Sequence, residues 1–244
     1  MSALELKNVT KTFSMEIGDY LVLDDINIKV NKDEIVGIVG PSGSGKTTIL
    51  NIISGILKPT SGEVIVNGKM GYMFQKDLLF EWRTIWKNLL IGLEISKNKT
   101  NENIKKVKEL LEKYDLSDFS NNYPYELSGG MRQRIALIRT LATNPNILLL
   151  DEPFSALDYQ TRLKIADDIY NVIRNENLTA ILVTHDISEA ISMCDRIIIL
   201  SKRPASIKKE IKIEFDKKLS TLEKRKDHRF QIYFDEIWGL INED

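Results

Sequence analysis

The sequence predicts an α/β fold: a mostly parallel sheet with an N-terminal antiparallel β subdomain and an inserted helical subdomain. Three observations carry that expectation. Two segments near the start, ALELKNVTKTF and YLVLDDINIKV, alternate apolar and polar residues as half-buried strands do. Later, three apolar strand-like runs alternate with helix-length segments, the pattern of a parallel sheet covered by helices. Between them, from Lys76 to about Thr143, strand patterns give way to helices and loops.

IVGIV (35–39) is a continuous apolar run, the mark of a strand covered on both faces. GPSGSGKTT follows, then a helix through TILNIISGIL that KPTSG ends. EVIVNGKMGYMF reads as a hairpin turning at Asn67-Gly68. In the helical insert, ENIKKVKELLEKY sets Ile104, Val107, Leu111 and Tyr114 on one helical face. The strand–helix units are NILLLDEPF with YQTRLKIADDIYNVIRNE, then TAILVTHD with ISEAISMC, then RIIIL. ASIKKEIKIEF adds a strand, and HRFQIYFDEIWGL reads as an amphipathic closing helix. These segments fit one domain over 1–244: a core from 1–75 and 144–204, a helical subdomain over 76–143, and an extension over 205–244.

A chain of 244 residues is long enough for one large α/β domain or two small ones. With 34 basic against 35 acidic residues, it is not built chiefly to grip nucleic acid. The single cysteine, Cys194, has no intrachain partner, and no Cys/His cluster has metal-ligand spacing. MSALELKNVTKTF lacks the apolar core of a signal peptide, and RIIIL and NILLL are too short to span a membrane. The expectation is a cytoplasmic protein that reaches a membrane only through a partner.

Chemistry first enters at Gly40, Pro41, Ser42, Gly43, Ser44, Gly45, Lys46 and Thr47. The spacing is G-x-x-x-x-G-K-[ST], placed between a strand and a helix as a phosphate loop requires. Glycines let the backbone wrap closely enough for N–H groups from Ser42 to Thr48 to donate to phosphate. Lys46 then reaches the β- and γ-phosphates of a nucleotide, and the Thr47 hydroxyl ligates Mg²⁺. Asp151 and Glu152 end the buried run NILLLDE, where an Asp holds the Mg²⁺ shell and a neighbouring Glu can polarise a water. Gln75 and His185 likewise follow strands directly. In an open α/β sheet ligands gather beyond the carboxyl ends of strands, so one edge collects all four groups. Taken singly, a loop Gln or His is usually just solvated. A second phosphate-facing helix start lies at LSGGMRQR, 127–134.

LSGGMRQR, followed by ILLLDEPFSALD and a His after the next strand, resembles the ATPase subunit of an ABC transporter over nearly the whole chain. The resemblance implies a phosphate-loop NTPase (RecA-like) core. It implies that Phe13 stacks on adenine, that Gln75 senses Mg²⁺ and nucleotide, and that Asp151 serves the metal site. Glu152 would be the catalytic carboxylate, His185 would contact the γ-phosphate, and Asp158 would touch the opposite site. Ser128, Gly129 and Gly130 would bind the γ-phosphate of ATP held by a second copy, which implies a head-to-tail homodimer.

The resemblance also implies an integral membrane permease docking near Gln75–Trp86, where Leu78, Leu79, Phe80, Trp82 and Trp86 cluster. That places the chain at the cytoplasmic face of the membrane. LSKRPASIKKEIKIEF and the FQIYFDEIWGL tail are similar to importers of the nitrate, sulfonate and taurine type, which include carriers of pyrimidine vitamin precursors. Such importers use an external solute-binding protein. Two departures stand out: Glu81 replaces the usual proline before Trp82, and the stretch from Thr47 to Gln75 is short. An ABC exporter ATPase, a non-transport ABC ATPase and a small-molecule kinase are the other readings. The kinase leaves LSGGMRQR and SALD without a role.

Overall fold

A computed structural model of the chain describes residues 2–16, 18–155, 157–216 and 218–243; Ala156, in SALD, lies outside them. The first two strands are β1 (Ser2–Met15) and β2 (Gly18–Asn31), joined in an antiparallel pair. β3 (Ile35–Val39) then leads through the glycine-rich loop to α1 (Lys46–Ile53), and β4 (Ser61–Val66) and β5 (Met70–Met73) follow. The helical insert holds α2 (Ile85–Ile95), α3 (Asn101–Lys113) and α4 (Gly129–Leu141). The alternating part runs β6 (Ile147–Asp151), α5 (Tyr159–Asn175), β7 (Thr179–Val183), α6 (Ile187–Met193) and β8 (Arg196–Leu200). β9 (Ile207–Lys212), α7 (Thr221–Lys224) and α8 (His228–Asn242) close the chain.

These strands form a six-stranded sheet, ordered β5-β6-β7-β3-β8-β9, and a three-stranded antiparallel sheet, β2-β1-β4. All neighbours in the larger sheet are parallel except β8 and β9. The period of two in a strand divides the buried side chains between two cores. Val36, Ile38, Leu149, Ile181 and Ile198 face α1 and the antiparallel sheet. Ile35, Leu148, Leu150, Leu182 and Ile197 face the helices of the other layer. Both faces of β3, β6 and β7 are therefore covered, which is why those strands read as unbroken apolar runs.

The expected hairpin at Asn67-Gly68 does not form. β4 pairs with β1 in one sheet and β5 pairs with β6 in the other, so Asn67-Gly68 is a crossover. The reason lies in its hydrogen bonds. Asn67 N donates to Ala3 O at 2.8 Å, while Lys69 N donates to Asn146 Oδ1 at 3.1 Å, fastening residues two apart to different sheets. A local turn signal is outweighed by two long-range strand pairings.

The insert packs as its period suggests. Thr84 and Thr100 cap α2 and α3, accepting from Lys87 N and Asn103 N. Val107 and Leu111 are buried on one face of α3, with Ile104 half-buried beside them and the C-cap Tyr114 also buried. α8 lies against the core through the buried Ile237 and leaves Ile232 and Trp238 exposed.

On α6, Glu189 is 3% exposed, and burial pushes its carboxyl up from 4.5 to about 7, opposed by the Thr184 hydroxyl donating to Oε2 at 2.6 Å. Between 4.5 and about 7 the folded chain holds a proton that the unfolded chain has released. The stability contributed is thus full below 4.5 and lost as pH rises through about 7. Glu189→Gln removes this dependence. Urea unfolding across that window should show a flatter stability profile for the variant, by roughly 3 kcal/mol at most. Parallel profiles would contradict the buried-carboxyl account.

Candidate functional site

The central strand β3 delivers the phosphate loop to the carboxyl edge of the large sheet. Gly45 caps α1 with φ +88°, and a Cβ there would meet Leu23 Cδ2 at 2.7 Å, so both conformation and space demand glycine. Lys46 is buried against the loop, its Nζ donating to Gly40 O at 3.0 Å and Pro41 O at 2.9 Å. Ser44 N donates to Pro41 O at 3.2 Å, and the Ser44 hydroxyl, 1% exposed, has no partner among the described residues. Ser42, Gly43, Gly45, Lys46, Thr47 and Thr48 line a cavity of 750 Å³, with Phe13, Tyr20, Val22, Glu152, His185 and Arg203 completing its walls.

The acids arrive from β6. Asp151 is its last residue, and Glu152 follows with φ +45°, a left-handed conformation that costs a non-glycine residue on the order of 1 kcal/mol or more. Thr47 Oγ1 donates to Asp151 Oδ1 at 3.1 Å. The Tyr72 hydroxyl lies 3.4 Å from Asp151 Oδ2 and 3.1 Å from Asn51 Oδ1. Glu152 Oε2 accepts from Gln75 Nε2 at 2.9 Å, and His185 Nδ1 stands 3.3 Å from the same oxygen. The strained backbone of Glu152 thus turns its carboxylate to where the ends of β5 and β7 bring an amide and an imidazole.

Burial pushes the Asp151 carboxyl up and the Lys46 ammonium down; Glu152 and Asp151 oppose the latter. The oxygen donors of Thr47 and Asp151 are hard ligands of the kind Mg²⁺ takes alongside substrate phosphates. The residues present therefore fit that ion, and its charge would favour ionised Asp151.

The second phosphate-facing element lies elsewhere on the chain. Ser128 caps α4, its side chain accepting from Met131 N, and Ser128 and Gly129 are exposed. Gly130 fits closely against α5, since a Cβ there would meet Thr161 Cγ2 at 2.7 Å. Asp158 caps α5 by accepting from Thr161 N at 3.0 Å. None of Ser128, Gly129, Gly130 and Asp158 lines the 750 Å³ cavity. One chain therefore carries two separate surfaces suited to the same kind of anion.

The segment after Gln75 is fastened to α4. Arg132 grips Asp77 through Nε at 2.8 Å and NH2 at 3.1 Å, and reaches Glu81 at 2.7 Å. Glu81, where proline was anticipated, is thus half of an ion pair. Arg139 donates to the carbonyls of Asp77 and Leu78 at 2.6 and 2.8 Å. The apolar cluster here is split: Leu79 is buried, Phe80 and Trp86 are half-buried, and Leu78 and Trp82 are 52% and 75% exposed.

Tyr72, Asn51, Tyr20 and Arg203 also stand at the site, without a motif that marks them in the sequence. The rule that selected His185, position directly after a parallel strand, also points to Arg203 after β8. Tyr72 needed the observed crossover: only β5 beside β6 brings it to Asp151.

The chain is similar to known proteins of one family. The family model described as ABC transporter matches residues 23–155. An uncharacterised ABC transporter ATP-binding protein, YtlC of Bacillus subtilis (strain 168), is 42% identical, covering 99% of this chain and 96% of that protein. The taurine import ATP-binding protein TauB of Roseobacter denitrificans is 38% identical over 88% of this chain and 84% of its own length. Among solved structures, a dimeric post-hydrolysis state of the ATP-binding cassette MJ0796, bound to ADP and Pi, superposes with TM-score 0.76 and 34% identity. That match covers 87% of this chain and all of the other.

The backbone at Glu152 provides a check on the site's geometry. Glu152→Gly relieves the left-handed strain while deleting the carboxylate. Its chemical-denaturation stability should stay within about 1 kcal/mol of the parent or rise. A larger fall would mean that the side-chain contacts, not the backbone, dominate there.

Proposed function

The chain belongs to the ABC transporter ATPases, and on that premise we propose that it is the ATP-hydrolysing subunit of a multi-subunit membrane importer. The observation that carries the chemistry is the Glu152 carboxylate, held by Gln75 and facing His185 at the mouth of a cavity floored by the phosphate loop. In-line attack of water on the γ-phosphorus needs an oriented nucleophile and stabilised negative charge rather than covalent help. Glu152 accepts from the water and turns it toward phosphorus. Lys46 leaves the Gly40 and Pro41 carbonyls for the phosphate oxygens, regaining for its buried ammonium a charged partner. His185 holds the γ-phosphate, and Phe13 packs on adenine. Thr47, with Asp151 and Gln75 beside it, would hold Mg²⁺, which when bound would offset phosphate charge.

ATP sits between two copies. Ser128, Gly129 and Gly130 of one chain cover the γ-phosphate held in the other chain's loop, and Asp158 approaches the same junction. Support comes from the exposure of that helix start away from its own cavity and from the dimeric state of the similar cassette. Loss of the γ-phosphate removes the joint contact and lets the pair open, a ligand-driven switch.

An integral permease docks on the face near Gln75–Trp86, with Trp82 and Leu78 as its exposed apolar contacts. Among the described residues no helix is long and apolar enough to cross a membrane, which fits a subunit held peripherally at the cytoplasmic face. The solute is of the nitrate, sulfonate, taurine or pyrimidine-precursor type, delivered by an external binding protein. The taurine-import relative supports that class.

Glu152→Gln should bind MgATP, hydrolyse it at least about a hundredfold more slowly, and accumulate as an ATP-bound dimer in light scattering. Near-normal turnover by this variant would remove Glu152 from the mechanism. Ser128→Arg should keep monomeric nucleotide binding and lose the dimer.

A further inference from the structure

The connection from β8 to β9 carries LSKRPAS, to which the mechanism above gives no role. It is firmly built. Ser201 N donates to Ser206 O at 2.9 Å, and Ser206 N donates to Ser201 Oγ at 2.9 Å. Ala205 is fully buried and joined to β2 in both directions: Ala205 N donates to Val22 O, and Asp24 N to Ala205 O, each at 2.9 Å. This parallel bridge, with Leu23 opposite Ala205, brings Arg203 to Tyr20.

Three pieces of the fold meet at the Arg203 guanidinium. Its Cζ lies 4.8 Å from the Tyr20 ring centroid, and NH1 donates to the Tyr20 hydroxyl. Nε donates to Gly43 O at 2.9 Å, and NH2 donates to the same oxygen. A Cβ on Gly43 would stand 2.7 Å from NH2, so glycine at that position admits the arginine. Tyr20 is the cross-strand partner of Phe13, and all four residues line the same cavity.

We propose that Arg203 is a nucleotide-positioning residue. The inference rests on the ATP reading above and adds to it a residue outside the phosphate loop. A loop that offers its N–H groups to phosphate turns carbonyls outward. By holding the Gly43 carbonyl, Arg203 keeps the loop wrapped before nucleotide arrives. By stacking on Tyr20, it fixes the wall beside Phe13 where the base rests. Its charge, at the rim of a cavity that otherwise offers Lys46 as its cation, also favours an incoming polyanion. A guanidinium fork serves both partners at once; an ammonium cannot present the same planar set of donors.

The test is isothermal titration of the full chain with a non-hydrolysable ATP analogue, alongside thermal unfolding with and without it. Arg203→Ala should weaken binding about tenfold, the loss of roughly one charge-assisted contact. Arg203→Lys should recover part of that, and steady-state kinetics should show a larger change in KM than in kcat. The analogue-induced rise in Tm should shrink, whereas the nucleotide-free Tm should move little. Unchanged affinity in Arg203→Ala, or a lowered nucleotide-free Tm with unchanged affinity, would reduce the residue to a structural brace and overturn the proposal. Failure of the unmutated chain to bind the analogue would instead overturn the ATP reading itself.

Discussion

The Glu152 carboxylate accepts from Gln75 at 2.9 Å and faces His185 at 3.3 Å, contacts made by the ends of β6, β5 and β7. They exist because those strands are parallel neighbours, with β3 next in line. Parallel pairing sends every carboxyl end to one edge, so four segments remote in sequence converge without any long loop. Slip one strand by a residue and its side chains exchange faces, taking the apolar halves of both cores with them. Core packing and site assembly are therefore enforced by the same register.

Strain and desolvation meet at this edge. Glu152 adopts a left-handed backbone, Lys46 is buried among carbonyls, and Asp151 is held up by burial. By contrast, Arg174 and Asp195 pair directly at 2.6 Å. A site whose charges are incompletely matched by its own residues is suited to a polyanion with a bound cation. The other phosphate-facing surface, at Ser128, has the opposite character: exposed, capped and unstrained.

Much of this was legible in the residues. The phosphate loop, the acidic strand end and the edge positions of Gln75 and His185 follow from motif and period, because those signals are local. Apolar runs at β3, β6 and β7 announced burial on both faces. The hairpin at Asn67-Gly68 was misread because a turn signal cannot tell which sheet the next strand joins. Arg203 was legible in part: its place after β8 puts it at the same edge, but nothing local says that the turn will bridge to β2 through Ala205. Residues that work through tertiary pairing leave weak traces in a sequence.

We propose that the working site is composite, with the phosphate loop of one chain completed by Ser128–Gly130 of another. Mixing two inactive variants tests it directly. In a Lys46→Ala chain the loop is lost and the Ser128 surface kept; in a Ser128→Arg chain the reverse holds. Only a mixed dimer joins an intact loop to an intact partner surface. Single-turnover ATP hydrolysis should therefore appear in the mixture and in neither variant alone. A mixture as inactive as its components would show that each site is completed within one chain, and would contradict the account.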